Sequence, residues 1–545
     1  MNPISSKDSG RSPSDGAARD PEEGTPGRGA TAPPAGRRRA PLSVTSEDFR
    51  RAAHALVDRI ADHWEGIRDR PVAPGESPEA MRGLVGADRP LPREGMALEP
   101  LLEETAELLF RHSTFNGHPR FFGYITAGPS PVGMLGDFLA AAVNPNVGGW
   151  SLSPAATEIE EQTVRWIAEL VGYPTECGGL LVSGGNVANF VGFLAARLSV
   201  AGPEVRKRGL PFDAGGSRLR VYGSAETHTW IEKAADQYGL GTDAIRWIAT
   251  DDRRRLDLGA LERAVERDRS EGGIPMLVVG SAGTTAVGAV DPLEELADFC
   301  RREEIWFHVD GAYGAFAAAL PDASPDLRAV ALGDSLALDP HKWLYAPLEA
   351  GCVLVRDREL LREAFSYHPP YYHFGVEATN YSDYGPQNSR GFRALKVWLA
   401  LRQVGRKGYE KMIADDIRLA EAMYVAAAEH PEIEAATREL SITTFRYVPG
   451  DPAWERVARE GSEGGPGADS RGEAAYLDAL NEEILDRLER GGDAYVSKAV
   501  IDGRFYLRSC IVNFRTEAVD VETLPGIVAR IGREIHEEWG GTAPA

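Results

Sequence analysis

The chain has 545 residues, 43% of them hydrophobic and 26% charged, and its 60 basic and 82 acidic side chains leave a formal net charge of -22. This length predicts a globular protein of two or three domains, and the negative charge argues against nucleic acid or an anionic membrane as a partner. No apolar run reaches the roughly 18 to 20 residues of a membrane span, and no apolar signal core begins the chain, so a cytoplasmic protein is predicted. Four scattered cysteines favour reduced core thiols over disulfides or a zinc site.

Four successive parts are predicted along the chain. Residues 1–42 are rich in Ser, Gly, Pro, Asp and Arg and are predicted to be a disordered tail. Residues 43–125 are predicted to form a helical segment, which begins with Thr45 as the N-cap of an amphipathic helix. Residues 126–405 alternate apolar strands with amphipathic helices, which predicts a large domain whose mostly parallel sheet has helices on both faces. Residues 406–545 are predicted to be a smaller C-terminal α/β domain. Its predicted elements are helices over 408–429 and 473–490 and strands over 442–447, 495–500 and 504–512.

Two turns in the large domain precede helices and carry residues suited to binding. The segment 179–197 is predicted to be a strand, a Gly-Gly turn and a long helix, whose N-terminal N–H groups and dipole favour an anion such as a phosphate. On its own this turn is a weak signal, because it is neither a P-loop nor a dinucleotide fingerprint. The segment 221–235 is a strand, a turn and a helix with His228 near the helix start, where a capping or surface histidine is the ordinary interpretation.

The ends of two later strands carry the strongest chemical signal. One apolar strand ends in Asp310, and another, 335–338, stops at Asp339-Pro340 and leaves His341 and Lys342 on a turn. Apolar neighbours after Lys342 are expected to desolvate it partly and so favour a neutral amine able to attack a carbonyl. Taken alone, a strand-end lysine is more often a solvated residue.

The pairing of Lys342 with Asp310 changes that interpretation. A pyridoxal phosphate site needs a lysine that forms the Schiff base and a carboxylate that keeps the pyridinium nitrogen protonated. Both residues follow strands, at the carboxyl edge where open α/β sheets bind their ligands. The two strand ends therefore predict a pyridoxal phosphate enzyme.

The motifs HVDGAYGA at 308–315 and DPHKWL at 339–344 support a specific resemblance. In this order and spacing they resemble those of the pyridoxal-phosphate-dependent group II amino acid decarboxylases, and the likeness runs from about residue 45 to about residue 538. The resemblance implies the fold-type I architecture of pyridoxal-phosphate-dependent transferases and the cofactor pyridoxal 5'-phosphate. It also implies a homodimer with shared active sites and the decarboxylation of an L-amino acid.

The resemblance also implies a role for individual residues. Lys342 holds the cofactor, Asp310 faces its ring nitrogen, and His228 stacks on the ring and helps to orient the substrate carboxylate. Further cofactor contacts are implied for Gly185, Asn186, Thr285, Ala312 and His341, with Ala312 on the ring face opposite His228. An aromatic segment with Phe121 and Phe122 lines the substrate side of the pocket in the family, and core packing is the alternative for these two rings.

Residues 366–387 contain five tyrosines without apolar periodicity, which predicts a loop. In the resembled family a tyrosine of this loop protonates the substrate carbon after carbon dioxide leaves. Counting on from the lysine makes Tyr371 its match, with Tyr372 as the alternative and a simple lid aromatic as the other interpretation. Relatives that couple decarboxylation to oxidative deamination carry phenylalanine there, so Tyr371 favours the amine-forming reaction over the aldehyde-forming one. A non-catalytic paralogue is the remaining alternative.

Gly148 bears on the substrate. Dopa-type decarboxylases of animals carry a phenylalanine near the pocket floor where this chain has Gly148. A glycine there predicts room for a bulkier side chain such as an indole. The expected substrates are therefore aromatic amino acids, tryptophan included.

Overall fold

The structure, a computed structural model, describes residues 40–210, 218–367, 378–450 and 470–540. Of the described residues, 40–57 belong to one unit and those from 58 onward to a second. Helix α1 (Ser46–Glu65) begins where predicted, and Thr45 Oγ1 accepts a hydrogen bond from the Asp48 backbone N–H at 3.1 Å. Within the described ranges, no helix has the length and apolar character to span a bilayer.

The large sheet of the second unit is mostly parallel, as predicted. In the described residues its strands are β1 (Gly178–Val182), β2 (Leu219–Ser224), β3 (Ile245–Ile248), β4 (Ile274–Ser281), β5 (Trp306–Asp310), β6 (Ser335–Leu338) and β7 (Gly351–Val355). They lie in the order β1-β7-β6-β5-β4-β2-β3. The neighbouring pairs from β6 to β3 are parallel, whereas β7 is antiparallel to both β6 and β1.

Helices cover both faces of this sheet. The remaining α-helices of the described chain are α2 (Pro78–Val85), α3 (Leu98–His112), α4 (Pro131–Val143), α5 (Pro154–Val171), α6 (Gly185–Ala201), α7 (Val205–Arg208), α8 (Trp230–Gln237), α9 (Leu258–Ser270), α10 (Leu293–Glu303), α11 (Pro325–Arg328), α12 (Arg358–Phe365), α13 (Ala394–Glu429), α14 (Ser470–Gly491) and α15 (Ala518–Trp539). One hydrophobic core contains Leu181 with residues of α5, α9 and α10. A second contains Leu180 and Val182 with residues of α6, α8 and α12. Alternate residues of β1 thus enter opposite cores, as expected of a strand buried on both sides.

The C-terminal region has its own antiparallel sheet and its own core. Its strands in the described chain are β8 (Ile433–Glu439), β9 (Ile442–Tyr447), β10 (Ser497–Ile501) and β11 (Arg504–Cys510), in the order β10-β11-β9-β8. Residues of α13, α14 and α15 complete the core. The sequence predicted neither α15 nor β8. Because β8 is an edge strand with mostly small and charged residues, it lacks the apolar alternation of a half-buried strand.

Helix α13 links the two regions. Gly405 lies inside it with φ 67° and ψ 168°, a conformation that suits glycine and divides the helix at a kink. The predicted boundary between residues 405 and 406 falls at this kink. The four-part division of the chain stays a prediction.

Candidate active site

A cavity of about 250 Å³ lies at the carboxyl ends of the strands of the large sheet. Every predicted site residue within the described ranges lines it, namely Gly185, Asn186, His228, Thr285, Asp310, Ala312, His341 and Lys342. These residues come from five separate stretches of sequence, and the strands of the large sheet bring them to one edge. The remaining predicted residue, Tyr371, lies outside the described residues, as does its alternative Tyr372.

The turn that carries Lys342 is held by a buried carboxylate of helix α13. Asp416 Oδ2 accepts hydrogen bonds from Trp343 Nε1 at 2.9 Å and from the Tyr345 hydroxyl at 2.7 Å. All three side chains are buried, and burial raises the pKa of Asp416 to about 7. The Tyr313 ring stacks on Trp343 with 4.9 Å between the ring centroids. The lysine therefore extends from a turn that packing and buried hydrogen bonds hold in place.

Lys342 has an acidic neighbour that the sequence analysis treated only as a strand terminator. Its Nζ lies 3.0 Å from Asp339 Oδ2, and the Asp339 side chain is only 3% exposed. The sequence predicted a partly desolvated amine at this position and did not predict the ion pair. Asp339 Oδ1 is buried and has no hydrogen-bond partner among the described residues. Asp339 and Lys342 lie three residues apart on a predicted turn, and this spacing in the sequence could have indicated the ion pair.

Asp310 is held by two neutral donors. Its Oδ1 accepts a hydrogen bond from the Ala312 backbone N–H at 3.2 Å, and its Oδ2 accepts one from Trp230 Nε1 at 2.8 Å. Each carboxylate oxygen keeps a lone pair for a further donor. Trp230 was not predicted as a site residue, because it lies 80 residues before its partner and nothing local in the sequence indicates the contact.

His228 is a neutral donor toward the cavity. Its Nδ1 accepts a hydrogen bond from the Trp230 backbone N–H at 3.3 Å, which leaves the ring proton on Nε2. Desolvation by the surrounding protein lowers the pKa of His228 below its ordinary value. His341 also lines the cavity, and burial lowers its pKa below the ordinary value. Its Nδ1–H group donates a hydrogen bond to the Ala350 carbonyl at 2.8 Å.

The N-terminus of helix α6 provides an anion cradle. Gly184, its N-cap, has φ 114°, a conformation that side chains disfavour. A Cβ on Gly185 would lie 2.6 Å from Asp339 Oδ2 and 3.0 Å from the Ala312 methyl carbon, so only glycine leaves this corner open. The first N–H groups of a helix have no acceptor within it, and Gly185 and Asn186 both line the cavity.

These residues fit pyridoxal phosphate. The cavity offers a lysine amine, a carboxylate with a free lone pair for the ring nitrogen, and a glycine-opened helix N-terminus for the phosphate. The buried Asp339 oxygen without a partner is a further group that a bound polar molecule would satisfy. The fold and the site define a pyridoxal-phosphate-dependent enzyme of fold type I.

Comparison with known proteins narrows this class. Residues 78–448 match the family described as the pyridoxal-dependent decarboxylase conserved domain. The chain is 30% identical over 499 residues to an aromatic-L-amino-acid decarboxylase of Bacillus atrophaeus, which covers 91% of this chain and 97% of the relative. It is 29% identical over 481 residues to a phenylacetaldehyde synthase of Arabidopsis thaliana, and the alignment covers 86% of this chain and 92% of that relative. The crystal structure of Oryza sativa TDC with PLP and tryptamine superposes with a TM-score of 0.81 at 28% identity, covering 91% of this chain and all of that one. The chain belongs to the pyridoxal-dependent decarboxylase family, and it is an amino acid decarboxylase that uses pyridoxal phosphate.

The structure bears on two expectations about the substrate side. Phe121 stacks on Tyr495 with 5.1 Å between ring centroids, and Phe122 is fully buried in the C-terminal core. Core packing therefore accounts for both rings, and Ile125 of the same segment lines the cavity instead. A Cβ on Gly148 would overlap the carbonyl oxygen of Asn388. This close approach accounts for the glycine, and Gly148 is not among the described residues that line the cavity, so its effect on substrate size stays a prediction.

Proposed function

We propose that the protein decarboxylates an aromatic L-amino acid to the corresponding amine and carbon dioxide. The observation that carries the proposal is the convergence of Lys342, Asp310 and His228 on one cavity. Pyridoxal phosphate, when bound, supplies the electron sink for the electron pair that the departing carbon dioxide leaves behind.

The side chains of the cavity have complementary proposed roles. Lys342 would hold the cofactor until the substrate amine replaces it, and Asp310 would face the ring nitrogen and stabilise positive charge there. His228 and the Ala312 methyl would pack against the two ring faces, and the Nε2–H group of His228 would donate a hydrogen bond to the substrate carboxylate. The proposed contacts to the phosphate and the remaining cofactor atoms come from Gly185, Asn186, Thr285 and His341.

The charge of the cavity supports an aromatic substrate over an acidic one. Among the described residues that line it, Lys342 is the only lysine or arginine, and in the proposed reaction it is occupied with the cofactor. A second carboxylate on the substrate would lack a cationic partner from these residues. Relatives named as aromatic-L-amino-acid, tyrosine and tryptophan decarboxylases support the same class.

We propose further that the protein is a homodimer. Helix α4 packs its glycine face inward, where a Cβ on Gly136 would lie 2.9 Å from the Lys396 backbone. Its outward face is apolar and more than half exposed, with Leu135 at 61%, Phe138 at 53%, Leu139 at 52% and Val143 at 64%. Side chains at this spacing share one side of a helix and form a patch that needs cover. The cytoplasmic location stays a prediction.

Product analysis by mass spectrometry tests the proposed reaction. The purified protein, loaded with pyridoxal phosphate, is mixed with a panel of proteinogenic amino acids, and Lys342→Ala serves as the control. Amine from aromatic substrates that disappears in Lys342→Ala is the expected result. Amine from glutamate alone would refute the aromatic assignment. Aldehyde with ammonia and peroxide would instead establish the oxidative reaction, which the relatedness to the phenylacetaldehyde synthase makes the second candidate.

A further inference from the structure

Trp230 touches both residues that flank the proposed cofactor ring. Its indole Nε1 donates to Asp310 Oδ2 at 2.8 Å, and its backbone N–H donates to His228 Nδ1 at 3.3 Å. We propose that Trp230 is a positioning residue of the active site, which aims the Asp310 carboxylate at the cofactor ring nitrogen. The inference rests on the proposed function, because it assumes the proposed role of Asp310.

The packing around Trp230 fixes the direction of its indole. The side chain is fully buried, and its ring meets His308 edge to face with 5.5 Å between the centroids. His308 is itself held on both sides, with its Nδ1 2.7 Å from Ser335 Oγ and its Nε2 2.7 Å from Asn189 Oδ1. Burial lowers the pKa of His308 to about 4, so this support is uncharged at neutral pH. The indole N–H is therefore directed at Asp310 by a rigid, neutral frame.

The chemistry of the donor matters as much as its direction. An arginine or lysine in this place would orient the carboxylate and at the same time compensate its negative charge. The indole N–H is a neutral donor without an acceptor atom, and the second donor, the Ala312 backbone N–H, is neutral as well. Asp310 is thus oriented while its charge remains available to a protonated ring nitrogen. The backbone N–H of Trp230 donates to His228 Nδ1 and so leaves the ring proton of His228 on Nε2. A side-chain substitution at position 230 keeps this backbone hydrogen bond.

The test uses Trp230→Phe in the full-length chain, stripped of cofactor and titrated by absorbance. Two probes are compared, pyridoxal phosphate and its analogue in which a carbon replaces the ring nitrogen. We expect the dissociation constant for pyridoxal phosphate to rise about tenfold, the typical worth of a hydrogen bond to a charged group. The affinity for the analogue, which has no ring nitrogen for Asp310 to meet, should stay unchanged.

A matched control is available in Trp398→Phe. That substitution also removes an indole hydrogen bond, from Trp398 Nε1 to Gln162 Oε1 at 2.7 Å, but neither residue lines the cavity. It should leave both affinities unchanged. If Trp230→Phe does not fold, benzothienylalanine at position 230 keeps the shape of the ring system and removes only the N–H. The same discrimination between the two probes is then expected.

The outcomes separate this inference from the proposed function. If the wild-type protein binds the two probes equally, Asp310 does not act on the ring nitrogen and its proposed role fails. If the wild type prefers pyridoxal phosphate but Trp230→Phe weakens both probes equally, Trp230 is only structural and the inference is overturned. In an Asp310→Ala background the substitution at Trp230 should have no further effect on either probe. A persistent tenfold loss in that background would also overturn the inference.

Discussion

Lys342 and Asp339 form an ion pair inside the cavity, with 3.0 Å between Nζ and Oδ2. An amine attacks a carbonyl only in its neutral form, so an ammonium held by a buried carboxylate must first give up a proton. Asp339 is a carboxylate in contact with that proton, and its Oδ1 accepts no hydrogen bond from the described residues. The residue that ends the strand thus also influences the reactivity of the lysine.

Replacing Asp339 by asparagine should accelerate cofactor loading. The amide keeps the shape of the side chain but forms no ion pair with Lys342 Nζ, so the amine is released to reach the carbonyl group of the cofactor. We expect the rate of loading at pH 7 to rise on the order of tenfold, as the loss of a hydrogen bond to a charged group predicts. Stopped-flow absorbance after mixing the stripped protein with pyridoxal phosphate measures this rate. Slower loading by Asp339→Asn would show that the carboxylate assists the lysine by accepting its proton.

Tyr371 and Tyr372 give a second prediction at the scale of single residues. If Tyr371 returns the proton to the substrate carbon, Tyr371→Phe should lose most amine formation, by about 10² to 10⁴-fold, since that is the usual contribution of a positioned acid. The resemblance further predicts aldehyde among its products. Tyr372→Phe is the matched control, one residue along the same segment, and should keep the wild-type product. If the two variants exchange these behaviours, Tyr372 is the proton donor.

The elements could be predicted from sequence wherever the pattern of apolar residues decides them. Strand β6 has its predicted bounds and helix α1 begins after its predicted N-cap, because buried strands are short apolar runs and amphipathic helices show a clear period. Strand-end geometry predicted that Asp310 and Lys342 would meet at one edge of the sheet, and the family resemblance implied the other six predicted residues that line the cavity. The supporting contacts were not predictable: Trp230 meets Asp310 and Trp343 meets Asp416 across 80 and 73 residues, and only the packed fold determines such pairs.

Helix α13 and the Lys342 turn are joined by Asp416, which gives stability a pH dependence. Its folded-state pKa of about 7 lies above the ordinary value of an aspartate, so the folded protein holds a proton that the unfolded chain releases near pH 4. The contribution of this group to stability is therefore complete below about pH 4 and is lost as the pH rises through 7. The buried Asp291, whose pKa burial also raises to about 7, adds to the same trend.

Asp416→Asn should flatten this dependence. The amide cannot ionise, so the variant should lose less stability than the wild type between pH 5.5 and pH 8. At pH 5.5 the variant should be less stable than the wild type, because its amide N–H₂ group cannot accept every hydrogen bond that the carboxyl group accepts. Urea unfolding midpoints at the two pH values measure the difference. Equal slopes in variant and wild type would mean that Asp416 is ionised in the folded protein throughout this range.

At the scale of the whole molecule, the apolar face of helix α4 argues for a second copy of the chain. The large apolar side chains Leu135, Phe138 and Leu139 are exposed, whereas the buried residues of this helix are glycines. An amphipathic helix of a monomer usually buries its large apolar side chains, so this arrangement is the reverse of the usual one. A monomer would leave this face in water, and its burial between two copies is the favourable alternative. The proposed homodimer accounts for the pattern.

A charge placed on that face should separate the copies. Phe138→Glu would bury an unpaired carboxylate in the proposed interface, which costs several kcal/mol. We expect light scattering after size exclusion to give twice the chain mass for the wild type and the mass of a single chain for the variant. Trp247→Glu is the matched control, because Trp247 is 46% exposed on the edge strand β3 and lies outside the α4 face. It should remain dimeric. A wild type of single-chain mass, or a dimer that survives Phe138→Glu, would remove helix α4 from the interface.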